Sequence, residues 1–131
     1  MNFDCVGRKN NGEMYMKFHK PFSIVEKIQL LQRSILVQSF AYYELNSNIL
    51  SDFQYDNNAM QLIELMKKYP DEAERSKYRE YFQDYCPEDE NAHYTSGFDL
   101  LERVRKDSPA LYRRLHMDAA CALDQKQKRM N

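Results

Sequence analysis

Two serine boxes constrain this chain more than any other feature of it. Ser23 is followed by Glu26 and Ser51 by Gln54, each just ahead of a run with helical apolar spacing. In such a box the serine hydroxyl accepts from the backbone N–H three residues on, and the Glu or Gln side chain reaches back to the serine's own N–H. Each box therefore marks a helix start. After the first, at about 100° per residue, Ile24, Ile28, Leu31, Ile35 and Tyr42 fall within about 60° of one line, with Val25, Leu36 and Tyr43 on its flank. That stripe predicts a core-facing helix over 23–46, ended by Asn46, Ser47 and Asn48. The second box predicts a helix over 52–68 that stops before Pro70. So short a linker folds the two into an antiparallel helical hairpin.

With only three glycines and four prolines in 131 residues there is little turn material, and the rest of the chain also reads as helix. The pattern predicts a third helix over 72–84 carrying Tyr78, Tyr81 and Phe82, with Tyr85 nearby. The acidic loop "CPEDENAH" follows. Ser96 with Asp99 starts a fourth helix through Lys106, and Ser108 with Pro109 at the first helical position starts a fifth. The final "KQKRMN" is expected to fray. Residues 3–18 are the exception: "FDCV", the Asn11-Gly12 pair and the alternation of Met14, Met16 and Phe18 with Tyr15 and Lys17 read as a short β-hairpin or extended segment. The expected architecture is a small all-α single domain over 1–131, large enough to bury roughly two thirds of its unfolded surface.

Charge and cysteine usage remove several classes of function. Nineteen Lys and Arg against 20 Asp and Glu leave a net charge of −1. No global field draws such a chain to nucleic acid or an anionic membrane, so neither is an expected partner. Cys5, Cys86 and Cys121 are odd in number and far apart, which fits free thiols, and Cys121 among Ala119, Ala120 and Ala122 reads as a core thiol. No run is long enough to span a membrane and the start lacks an export pattern, so a cytoplasmic protein is expected. His19, His93 and His116 have no metal-ligand spacing, and no metal is expected. No Gly-rich phosphate loop or nucleophile elbow occurs. The basic group "RRLH" at 113–116 reads as a solvated helix face.

Two carboxylates stand out. On the second helix Asp52, Tyr55 and Asp56 share the line of Ala59, Ile63 and Met66. A buried carboxylate is costly unless it is paired. This end of the stripe therefore projects beyond the core into a pocket, or a partner occupies it. A first-turn acid such as Asp52 is explained by the helix dipole, but Asp56 is a turn further on. The hairpin brings Tyr42 and Tyr43, which read equally as core aromatics, toward these residues. Aromatic faces with two carboxylates suit a flat cationic ring bearing a hydroxylated sugar.

Tyr42-Tyr43 followed by "SDFQYD" at 51–56 resembles the small helical N-terminal domain of bacterial NAD-dependent DNA ligases, domain Ia. That family's signature runs Tyr-His or Tyr-Tyr, then a Ser-Asp-x-Glu-Tyr-Asp-like segment. The resemblance spans residues 24–71, and "LMKKYPD" matches the family's closing turn; residues 72–131 supply additional helices. It implies that Tyr42 and Tyr43 flank the nicotinamide mononucleotide half of NAD and that Asp52, Tyr55 and Asp56 complete its pocket. The chain has Asn46-Ser47-Asn48 where the family has an Asp-x-Pro step. No Lys-x-Asp-Gly adenylation motif occurs, nor any zinc-finger, helix-hairpin-helix or BRCT-like segment. The expectation is thus a non-catalytic module that binds NAD or nicotinamide mononucleotide, of the compact kind carried by bacteriophages. The alternative is a phage-type effector that binds a host or phage protein, with the pocket a relic.

Overall fold

The structure, a computed structural model, describes residues 22–86 and 95–130, so the hairpin expected over 3–18 lies outside the described residues. The fold is all-α. Among the described residues five helices run in order: α1 Ile24–Glu44, α2 Asp52–Lys68, α3 Pro70–Glu74, α4 Gly97–Asp107 and α5 Pro109–Met130. Among the described residues there is no strand.

Both serine boxes form as read, and a third joins them at Ser96 and Asp99. Asn46, with φ of 52°, turns the chain out of α1 in the left-handed region, which asparagine tolerates better than most residues. The 45–51 connection can span at most about 25 Å, whereas a helix of 21 residues is about 32 Å long. With α2 packed on α1, the pair must run antiparallel.

α1 is the axis of the fold and touches α2, α4 and α5. The sequence stripe predicted one buried face, but residues 34–41 are buried without a break. Ser34, Ser39 and Ala41 are small enough for neighbouring helices to close on the sides a one-faced helix leaves in water. The innermost side chains are Ile28, Ile35, Leu36, Leu62, Phe82, Leu100, Leu101, Val104 and Leu115. Buried Gln32 is partnered on one side: its Nε2 donates to Ser76 Oγ at 3.0 Å, and Ser76 donates onward to the Ala73 carbonyl at 2.6 Å, while its Oε1 has no partner.

The helix expected over 72–84 is corrected. Regular helix stops at Glu74, and the chain continues through Tyr85 as successive tight turns, with bonds such as Tyr81 N–H to Tyr78 O and Tyr85 N–H to Phe82 O. Arg103 of α4 donates to the carbonyls of Tyr81 at 2.8 Å and Gln83 at 2.9 Å, which ties these turns to α4. The turns bury Tyr78, Tyr81, Phe82 and Tyr85 together. α5 runs to Met130. Lys126 from its final turns donates to the Asn48 carbonyl in the α1–α2 connection at 2.7 Å. Arg33 ties α1 to the rest by an ion pair with Asp118 of α5 and a 2.9 Å bond to the Tyr78 hydroxyl.

Candidate functional site

Tyr42 and Tyr43 lie at the end of α1, and Asp52, Tyr55 and Asp56 at the start of α2. Because Asn46 turns the chain back within a few residues, these two helix ends face each other. All five residues line one cavity of about 320 Å³, at the lower end of the range for small-molecule sites. Its remaining wall comes from Gln38 and Ser39 of α1 and from Asn48, Ile49 and Leu50 of the connection.

The tyrosines are not core. Tyr42 is 54% and Tyr43 43% exposed. Their rings meet edge to face with centroids 4.8 Å apart, and Tyr43 makes a second edge contact, at 6.0 Å, with Phe98 at the start of α4. Such contacts are worth about 0.5–1.5 kcal/mol each and hold the rings in place without burying them. Gly97 makes the approach of α4 possible: a Cβ there would lie 2.6 Å from Ser39 Oγ and 3.0 Å from Tyr43 Cε2.

Asp52 and Asp56 are both exposed, so the stripe does leave the core at this end. Asp52 sits in the first turn of α2, where the helix N-terminus favours an anion. Tyr55 is half-buried between them, its hydroxyl 3.1 Å from Ser39 Oγ. Behind it lies Tyr85, whose phenol is pushed far above its ordinary pKa, by burial first and then by Tyr55, Asp56 and Tyr43. Gln38, 7% exposed, donates through Nε2 to Ser34 Oγ at 2.7 Å, while its Oε1 is buried with no partner.

The wall therefore offers aromatic rings, two carboxylates and an orphaned amide oxygen. This set fits a planar cationic ring with hydroxyl and N–H donors: rings stack on rings, and acceptors take the donors. Sequence reasoning missed Gln38, Ser39 and Tyr85. The first had a signal, since Gln38 precedes Tyr42 by four residues and so shares its face of α1.

Two wider depressions, of about 510 and 610 Å³, flank Tyr78 and Arg114, and the first is lined by the Arg33–Asp118 ion pair. Arg113 and Arg114 are exposed there. No group of three or more His, Cys, Asp or Glu among the described residues is placed to hold a metal. His116 is exposed and stacks on Phe40 at 5.2 Å. Cys121 is exposed as well, which corrects its reading as a core thiol: α5 turns Leu115 and Ala119 inward, and Cys121 lies off that line. No described helix is long and apolar enough to cross a membrane.

No family model matches the chain, and no solved structure matches it. A DNA ligase of Pseudothermotoga lettingae is 41% identical over 51 residues, which cover 39% of this chain and 8% of that protein. Part of this chain is similar to DNA ligase. The DNA ligases of Thermotoga maritima and Thermotoga neapolitana are each 33% identical over 51 residues, covering 39% of the chain and 7% of the relative. The ligase-like stretch thus spans less than a tenth of the relatives it matches, and most of the chain lies outside it.

Proposed function

We propose that this protein is a non-catalytic module that binds the nicotinamide mononucleotide half of NAD in the cavity between the end of α1 and the start of α2. The observation that carries the reading is the convergence of Tyr42, Tyr43, Asp52, Tyr55 and Asp56 on one cavity. The partial similarity to DNA ligase supports it, and so does the resemblance of Tyr42-Tyr43 and "SDFQYD" to the helical N-terminal domain of NAD-dependent DNA ligases, which implies a pocket for that half of the cofactor. Tyr42 and Tyr43 offer ring faces, and Asp52 and Asp56 accept ribose hydroxyls and offset the ring charge.

Titration calorimetry tests it with three ligands. NAD and nicotinamide mononucleotide should bind with a dissociation constant on the order of 10 μM to 1 mM, and AMP should give no heat. Asp52→Asn and Asp56→Asn should each weaken binding by about 1–3 kcal/mol. Asp56→Asn should leave the melting temperature unchanged, because Asp56 is exposed beyond the first turn. Asp52→Asn should cost no more than the dipole term of about 0.3–1 kcal/mol. Variants that melt several degrees lower while the parent ignores every nicotinamide ligand at millimolar concentration sink the reading.

The chain carries no Lys-x-Asp-Gly motif. It should therefore neither take up AMP covalently nor seal a nick. Labelled AMP remaining on the denatured protein after incubation with NAD would contradict this. A second reading, binding of a host or phage protein, draws on one observation: Phe53, 79% exposed, and Met60, 45% exposed, lie seven residues apart on one face of α2. It takes the place of the first if no ligand binds.

A further inference from the structure

We infer that Gln38 is the residue by which this site tells a carboxamide from the corresponding acid, so that the cavity takes nicotinamide ligands and turns away nicotinate ligands of the same shape. The inference rests on the nicotinamide reading of the site and adds a selectivity to it.

Gln38 is more than nine-tenths buried, yet it reaches the cavity wall. Its amide is half used. Nε2 donates to Ser34 Oγ at 2.7 Å, four residues back on the same helix, and this anchors the group. Oε1 is left buried with no hydrogen-bond partner. An acceptor withdrawn from water and given no donor is unfavourable for the fold, and a leucine or methionine would fill the same space without that cost. The cost is removed if a ligand in the cavity brings the missing donor.

The two charged groups on the wall, Asp52 and Asp56, are also acceptors. A ligand that satisfies these three acceptors must present N–H or O–H groups. The carboxamide of nicotinamide has two N–H donors, whereas the carboxylate of nicotinate is planar and of nearly the same size but has acceptors alone and a negative charge. Against Oε1 it would place oxygen on oxygen. Selectivity of this kind is strong because the wrong ligand leaves a buried polar group unpaired, which a purely apolar wall cannot do.

Asp52 and Asp56 disfavour the acid by charge in any case, so the test is the change in selectivity when Gln38 alone is altered. Calorimetry with nicotinamide mononucleotide and nicotinic acid mononucleotide is run on the parent, on Gln38→Met and on Gln38→Glu, with unliganded melting as the check on folding. The parent should prefer the amide. Gln38→Met should weaken amide binding by about 5-fold to 100-fold and leave acid binding almost unchanged, so that the ratio falls by that factor. Gln38→Glu keeps an acceptor in place and should hold or raise the ratio, and it carries the comparison alone if Gln38→Met does not fold. Equal weakening of both ligands by Gln38→Met would show Oε1 facing a ribose hydroxyl and would overturn the selectivity while leaving the site intact. A parent that binds neither ligand removes the nicotinamide reading and the role of Gln38 together.

Discussion

Phe82→Ala should destabilise the protein by about 3–5 kcal/mol, the range for removing a fully enclosed aromatic ring from a core. Phe82 is 1% exposed and is the largest of the fully buried side chains. The expected fall in melting temperature is roughly 10–20 °C for a domain of this size. The segment that carries Phe82 has no helical ladder of its own beyond Glu74, only short turns and two bonds from Arg103. Packing therefore holds it. The loss should reach the cavity as well: Phe82 meets Tyr85 edge to face at 5.1 Å, and Tyr85 stands behind Tyr55. Chemical denaturation measures the first effect, and ligand titration well below the lowered melting temperature measures the second. Phe98→Ala is the internal contrast, since Phe98 is 48% exposed and should cost less than about 1 kcal/mol. A Phe82→Ala loss under 1 kcal/mol would mean that the turn segment is not part of the core.

The difference between these two phenylalanines was not legible in the sequence, and the reason is distance along the chain. What was legible is local. The serine boxes at Ser23 and Ser51 and the turn at Asn46 each depend on residues within a few positions, and each formed as read. The convergence of Tyr42, Tyr43, Asp52, Tyr55 and Asp56 follows from those same local signals, because two helix ends joined by a short connection have to meet. The helix expected over 72–84 failed for a non-local reason: successive turns bury Tyr78, Tyr81, Phe82 and Tyr85 together, and Arg103, some twenty residues downstream, ties those turns to α4. The one-faced reading of α1 failed in the same way. Apolar periodicity counts large side chains, and it passed over Ser34, Gln38 and Ser39, whose burial depends on how closely α2, α4 and α5 approach. Two of those three then proved to belong to the cavity wall.

The chain outside the hairpin also shapes the site, and Gly97→Ala isolates that contribution. Gly97 opens α4 directly against the last turns of α1, and its φ lies outside the left-handed region, so space rather than backbone freedom demands glycine. An added Cβ would sit 2.6 Å from Ser39 Oγ, 3.1 Å from Ser39 Cβ and 3.0 Å from Tyr43 Cε2. Alanine is favoured over glycine by up to about 1 kcal/mol inside a helix and by less at its first position. Crowding opposes that gain and is larger. Ser39 is completely buried, its Cβ is fixed by α1, and its hydroxyl is engaged with Tyr55. The chain can respond only by moving α4 away from α1 or by turning the Tyr43 ring. Overpacking of this kind costs about 1–3 kcal/mol, and breaking the Ser39–Tyr55 bond adds about 1 kcal/mol. We expect a net loss of about 2–3 kcal/mol and, since Tyr43 is a wall of the cavity, a fall of at least about tenfold in affinity for nicotinamide mononucleotide. Gly97→Ala combined with Ser39→Ala separates the causes. Removing Oγ relieves the closest contact but leaves the 3.1 Å approach to Cβ and the pressure on Tyr43, so the double variant should regain part of the stability and little of the binding. Full recovery of binding would assign the defect to Ser39 and Tyr55 instead of the Tyr43 ring. An unchanged melting temperature in Gly97→Ala alone would mean that α4 does not press on α1 here and that the hairpin forms the cavity by itself.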